Sequence, residues 1–332
     1  MGVYFLVKEG HLNMERLTSL FFIFHFLFFP LLVTASEEDE YKTSLVEAID
    51  IMQKQSIHRN EIDWINLRYK AMKELRATEG IAGYKNAMRE AFRLIKTNHS
   101  YLLNSHYDFL TGYSDKRCRF EADDNTSFGR HIGYIRVDTF SSKSPQEQVK
   151  YATKLQNQIR QQDSTELKAW IVDLRYNGGG NMYPMLAGVG PLLGNGRFGY
   201  FIYPDGDTAE FGYYEGASIL KKRKKTIVES PYKVKNNDIE LYILTSSRTA
   251  SSGEALAIAF KEAPNTTFIG EITCGLATVN RNFKLKNQNI LNLTVGLMAD
   301  RIKNTYENGI VPDVEIEASK AKKYAVEVIN SK

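Results

Sequence analysis

A chain of 332 residues is long enough for one large or two modest domains, each able to bury a core without metal or oligomeric support. Its 43% hydrophobic and 25% charged residues are the composition of a globular protein and exclude a fibrous or largely disordered chain. The formal net charge of +4 is small for this size and excludes the strongly basic balance of a nucleic-acid platform.

The first element in chain order is an almost wholly apolar run, Leu20 to Val33, preceded by Arg16. At about 14 residues, interrupted by His25 and Pro30, it falls short of the roughly 20 needed to span a bilayer and reads as a signal-peptide core. Val33-Thr34-Ala35 offers small residues for cleavage, so residues 1–35 are expected to be a signal peptide, and Met14 makes a tidier start than Met1. The mature chain is then expected outside the cytoplasm, periplasmic or extracellular, without a stable membrane span.

From Tyr41 to about Ile95, apolar residues recur at three- and four-residue spacing (Leu45, Ile49, Met52, then Ala87, Ala91, Phe92), which predicts a helical N-terminal cap over 36–110. From Ile132 onward, β segments alternate with helices, the pattern of an α/β layered domain over 111–332. Ile132–Val137 reads as a strand, and Ser144 with Pro145 and Glu147 starts a long helix. Ala169–Leu174 is a buried strand, a helix is expected near Tyr183–Leu193, and hairpins with an Asp205-Gly206 turn follow. Within them Lys221 to Lys225 is a dense basic run without interleaved aromatics, read as a solvated loop or helix end. Ile239–Leu244, a helix from Gly253, Thr267–Gly270 and a closing strand over Leu291–Met298 complete the pattern.

Three segments could carry chemistry. Val172 to Asn181 runs from a buried strand into Gly178-Gly179-Gly180 ahead of a helix, where bare backbone N–H groups can hold an oxyanion. Thr249-Ala-Ser251-Ser252-Gly-Glu254 sets a serine at a strand-to-helix turn, which suits a nucleophile but also fits a plain capping box. A serine hydroxyl needs a base, and Asn98-His99-Ser100 supplies a candidate in competition with His58, His106 and His131. Cys118 and Cys274 are the only cysteines; each could be a buried thiol, or the two could pair in an oxidising compartment, and neither has a zinc-ligand spacing.

Taken together, Asp173-Leu-Arg-Tyr-Asn-Gly-Gly179, Thr249–Glu254 and Gly270-Glu-Ile-Thr-Cys-Gly275 resemble, in order, the tail-specific or C-terminal-processing serine peptidase family. The resemblance implies a crotonase-like (ClpP-like) β/α spiral as the catalytic core. Bacterial processing peptidases carry their catalytic lysine directly after the last of these glycines, where this chain has Leu276. The chain is thus similar to the histidine-using branch typified by the tricorn core, which implies Ser251 as nucleophile, His99 as base and Glu307 as the carboxylate that orients it. His106 in the same loop stays open as the base. Gly178 or Gly179 with Ser252 would form the oxyanion hole. The short interval between His99 and Ile132 leaves no room for a PDZ domain there.

These residues together predict an exported serine peptidase that hydrolyses a protein or peptide substrate through an acyl-enzyme, without a metal or organic cofactor. The rival is a catalytically silent ligand- or peptide-binding protein on the same scaffold. Oligomeric state and substrate identity are not encoded legibly.

Overall fold

The computed structural model describes residues 37–103, 109–112, 118–120 and 126–332. The expected signal peptide and His106 lie outside the described residues. The N-terminal helical pattern resolves into α1 (Glu37–Gln55), α2 (Trp64–Ala77) and α3 (Gly80–Leu94). Glu37 to Glu40 sit at the positive end of the α1 dipole, and Asp63 caps α2 by accepting from Asn66 N–H at 3.0 Å. Then come β1 (Tyr101–Leu103), β2 (Phe109–Leu110), β3 (Ile132–Arg136), α4 (Pro145–Gln162), β4 (Ala169–Asp173) and α5 (Met182–Leu193). The hairpin region is β5 (Gly196–Ile202), β6 (Thr208–Tyr214), β7 (Ala217–Leu220) and β8 (Arg223–Ile227). The chain continues through β9 (Glu240–Thr245), α6 (Ser252–Phe260), β10 (Thr266–Gly270), β11 (Thr278–Lys284) and β12 (Ile290–Asp300). It ends with β13 (Val314–Glu315) and α7 (Ala318–Ser331).

Five strands form a parallel sheet in the order β13-β10-β9-β4-β3. Its central strands are buried on both faces, which is why they read as unbroken apolar runs. On one face α7 packs Ala321, Ala325 and Ile329 against Ile171 and Leu244. On the other, Trp170, Val172 and Ile243 share a core with Met185 of α5, Leu256 and Phe260 of α6, and Phe198 and Phe211 of the second sheet. That second sheet is antiparallel, ordered β2-β1-β12-β5-β6-β7-β8, with β11 paired to β12. β12, expected to close the α/β sheet, belongs instead to this second one, because its neighbours β11, β5 and β1 all pair with it antiparallel.

β12 also joins the helical region to the rest. Leu291, Leu293 and Val295 bury against Leu45, Ile49 and Met88, and the period of two along the strand turns Asn292 and Thr294 to the opposite face. The basic run is neither a free loop nor a helix end: Lys221 and Lys222 form a turn and Arg223 begins edge strand β8. β11 and α7 are additions to the elements expected from sequence. β11 is mostly polar, although Val279 and Phe283 keep the spacing of a strand face, and the spacing of Ala321, Ala325 and Ile329 signals α7. Among the described residues, no helix is long and apolar enough to cross a membrane.

Candidate active site

Two strand-to-helix turns meet at the C-terminal edge of the parallel sheet, where such sheets place their ligands. The first leaves β4 at Asp173. Its carboxylate accepts from Arg175 Nε at 3.0 Å and Nη2 at 2.7 Å, both side chains being fully buried, and from Tyr134 Oη at 2.8 Å. Arg175 Nη1 donates to the Ala318 carbonyl at 2.7 Å, so a buried ion pair with its hydrogen bonds satisfied anchors this turn to the start of α7. The second turn leaves β9 and carries Ser251 at the head of α6. The two are stitched together: Thr249 Oγ1 donates to the Leu174 carbonyl at 2.9 Å, Ser246 Oγ to the Arg175 carbonyl at 2.6 Å and Ala250 N–H to the Asn177 carbonyl at 3.0 Å.

Ser251 has φ +53° and ψ −114°, a region that side-chain-bearing residues rarely occupy and that costs about 1–3 kcal/mol. An ordinary N-cap residue is extended, so capping does not account for this backbone. Glu254 holds it in place, accepting from Ser251 N–H at 2.9 Å, Thr273 Oγ1 at 2.6 Å, Gly275 N–H at 2.9 Å and Leu276 N–H at 2.8 Å. Burial outweighs these four bonds and raises the Glu254 carboxyl to about 6. Gly179, at φ +108°, lies directly beneath the serine, and a Cβ there would stand 2.9 Å from Ser251 Cβ.

Ser251 and His99 line one cleft of about 960 Å³, with Gly178, Gly180, Ser252 and Leu276. His99 lies just past the end of α3, and its Nδ1 is 2.7 Å from Thr278 Oγ1 of β11. Asn280 Nδ2 donates to the His99 carbonyl at 2.9 Å, and Ser100 Oγ is buried in a network with Thr97 and Thr294. Burial pushes the His99 imidazole down to about 4, so the ring is neutral near pH 7. Its Nε2 has no hydrogen-bond partner among the described residues, and the ring is not hydrogen-bonded to Ser251.

Two assignments change. Glu307 is exposed, in the turn that precedes Gly309, and the structure does not bring it to His99, whose Nδ1 is taken by Thr278. Gly178 N–H donates to Thr139 Oγ1 at 2.8 Å and Gly179 N–H to Asn177 Oδ1 at 3.0 Å, so the two glycines expected to share the oxyanion hole with Ser252 are committed. Gly180 N–H, one residue on, has no partner among the described residues. Ser252 N–H, in the first turn of α6, has no intrahelical acceptor, and Ser252 Oγ donates to the Gly180 carbonyl at 2.7 Å. Leu276, at the position where bacterial processing peptidases carry lysine, is buried against Ala250 and Cys274.

Cys274 and Cys118 form a disulfide across a separation of 156 residues, and Cys274 N–H donates to the Thr249 carbonyl at 2.9 Å. The bridge ties residues 118–120 to the serine turn, where Ser247 Oγ also donates to the Arg119 carbonyl at 2.9 Å. Among the described residues, no group of three or more His, Cys, Asp and Glu could hold a metal ion.

A strand-to-helix turn that holds a serine at positive φ, and a cleft that a histidine shares with it, are features of the serine peptidase class. More narrowly, the chain belongs to peptidase family S41, whose sequence model matches residues 131–316. It is similar to the nisin-resistance protein of Lactococcus lactis subsp. lactis, with 26% identity over 289 residues, 86% of this chain and 85% of that one. Among solved structures it is similar to a lipoprotein from Streptococcus agalactiae, with TM-score 0.68, 25% identity and coverage of 96% of this chain and 99% of that one. The photosystem II D1 C-terminal processing protease shares the fold at TM-score 0.53 and 15% identity, over 85% of this chain and 94% of that one.

Proposed function

We propose that the protein is an exported serine peptidase in which Ser251 is the nucleophile and His99 the base. The observation that carries this reading is the serine held at φ +53° on the rim of the cleft that also receives a neutral histidine. In the productive complex His99 Nε2 takes the Ser251 hydroxyl proton as Oγ bonds to the scissile carbonyl carbon. The same proton passes to the leaving amine as the C–N bond breaks, and water then releases the acyl group from Oγ. For Nε2 to accept, Nδ1 must carry the other proton, and Thr278 Oγ1 is the acceptor that holds this tautomer. Thr278 thus takes the orienting part expected of Glu307, as a neutral group. The uncommitted N–H groups of Ser252 and Gly180 receive the developing oxyanion, a contribution of about 3 kcal/mol for each donor.

Export is supported by the apolar leader run and by the Cys118–Cys274 bridge, since disulfides persist in oxidising compartments. Similarity to a lipoprotein and to a nisin-resistance protein points the same way and makes nisin the first peptide to assay.

The test is labelling of the purified chain by a fluorophosphonate probe. Labelling lost in Ser251→Ala and His99→Ala but kept in His106→Ala establishes the pair. A folded wild-type chain that stays unlabelled from pH 5 to pH 9 establishes the binding-protein alternative instead.

A further inference from the structure

The basic run Lys221–Lys225 acquires a use once the chain is folded. Edge strand β8 carries Lys225 to the rim of the cleft, where its Nζ stands 5.1 Å from the centroid of the Tyr183 ring. Lys221, in the turn before β8, stands 5.9 Å from the Tyr203 ring. Arg281 lines the same cleft from β11 and lies within electrostatic reach of Tyr203. Tyr183, Tyr203, Lys225 and Arg281 all belong to the cleft that contains Ser251.

Among the described residues that line this cleft there is no Asp or Glu. None of Lys221, Lys225 and Arg281 makes an ion pair among the described residues; Arg281 donates instead to the neutral Gln55 Oε1 at 3.2 Å. Of the acids on the neighbouring strands, Glu210 pairs with Arg197 at 3.7 Å, and Asp205 lies within electrostatic reach of Tyr203 from the β5–β6 turn. Like charges gathered about the two tyrosines repel one another, and a cleft with low-dielectric walls focuses their field toward its interior. Such a cluster lowers its own energy by receiving an anion. A lysine seated over an aromatic ring is held in place to do so.

We propose that the Tyr183–Tyr203 end of the cleft is a subsite for a carboxylate on the peptide substrate, with Lys225 as its specificity-determining residue. The inference rests on the peptidase reading for what occupies the cleft. A side-chain carboxylate and a free C-terminal carboxylate share this chemistry, and the test separates them.

Four fluorescently labelled peptides of one apolar sequence are compared, carrying Glu or Gln at one internal position and ending in an acid or an amide. Their binding to the full Ser251→Ala chain is read by anisotropy, so that no turnover is needed. The subsite predicts that the Glu peptide, the acid-terminated peptide or both bind about fivefold tighter than the Gln amide, the reach of a single exposed ion pair. That preference disappears in Lys225→Ala, reverses in Lys225→Glu and fades as salt is raised. Equal binding of all four peptides, a preference that survives Lys225→Glu, or no binding by any of them overturns it. If the preference holds while wild type neither reacts with fluorophosphonate nor cleaves the peptides, the catalytic reading fails and the subsite stands. Cleavage indifferent to the carboxylates has the opposite meaning.

Discussion

His99 Nδ1 meets Thr278 Oγ1 at 2.7 Å, across 179 positions of sequence, and no carboxylate among the described residues shares the contact. A hydroxyl can hold one tautomer of an imidazole, yet it brings no negative charge to an imidazolium, in contrast to the carboxylate of a catalytic triad. Thr278→Val removes the acceptor and keeps the shape. It should slow fluorophosphonate labelling about tenfold or more, part of what a positioned base contributes. Thr278→Ser should retain most of the rate. Equal rates in Thr278→Val and wild type would show that the tautomer is held otherwise.

With no carboxylate partner among the described residues, burial lowers His99 to about 4. Its basic form therefore persists well into acid, and the labelling rate should stay level from pH 8 to about 5 before falling with a midpoint near 4. A midpoint near 6.5, the value of a solvated histidine, would assign the base to another residue.

Stability should follow pH differently from activity. His99 is depressed in the folded state, so its contribution of up to about 3 kcal/mol is present above pH 6.5 and is lost as pH falls toward 4. Glu254 is raised, so its contribution of up to about 2 kcal/mol is present below pH 4.5 and is lost as pH rises through about 6. The two slopes oppose each other in that window. Glu254→Gln removes one of them, and its urea midpoint should fall more steeply with acid than that of wild type.

Glu254→Ala leaves the N–H groups of Ser251, Gly275 and Leu276 and the Thr273 hydroxyl without their buried acceptor. A loss of at least about 3 kcal/mol in denaturant unfolding is expected, together with weakened labelling of Ser251. A loss below about 1 kcal/mol would mean that water replaces the carboxylate.

The Cys118–Cys274 bridge closes a long loop next to the serine turn. Loop-closure entropy for this separation amounts to about 5 kcal/mol, so Tm should fall markedly on reduction and in the Cys118→Ala/Cys274→Ala chain. Because Cys274 N–H bonds Thr249, two residues before Ser251, labelling should slow in the same samples. Identical melting with and without reductant would argue that the cysteines are unpaired in solution.

Much of the site was legible. The buried runs Ala169–Leu174 and Ile239–Leu244, each leading toward a helix, located both turns, and the order of three motifs singled out Ser251, while the base stayed open between His99 and His106. Thr278 escaped notice because β11 is too polar to stand out and threonine is no usual partner for a catalytic histidine. Gly178 and Gly179 were natural oxyanion donors until Thr139 and Asn177 were seen to occupy them.

What the sequence determined by itself is local: apolar period, glycine where the backbone needs positive φ, and a serine between strand and helix. These properties act within a few residues, so composition and spacing reveal them. Tertiary structure decided which groups meet. Thr278 at His99, Lys225 at the cleft, the bridge between Cys118 and Cys274 and the Gly180 N–H that has no partner among the described residues depend on the two sheets packing with the helices around them. Hydrogen bonds and charges reach only a few ångströms, and chain separation carries no information about such distances until the core has formed.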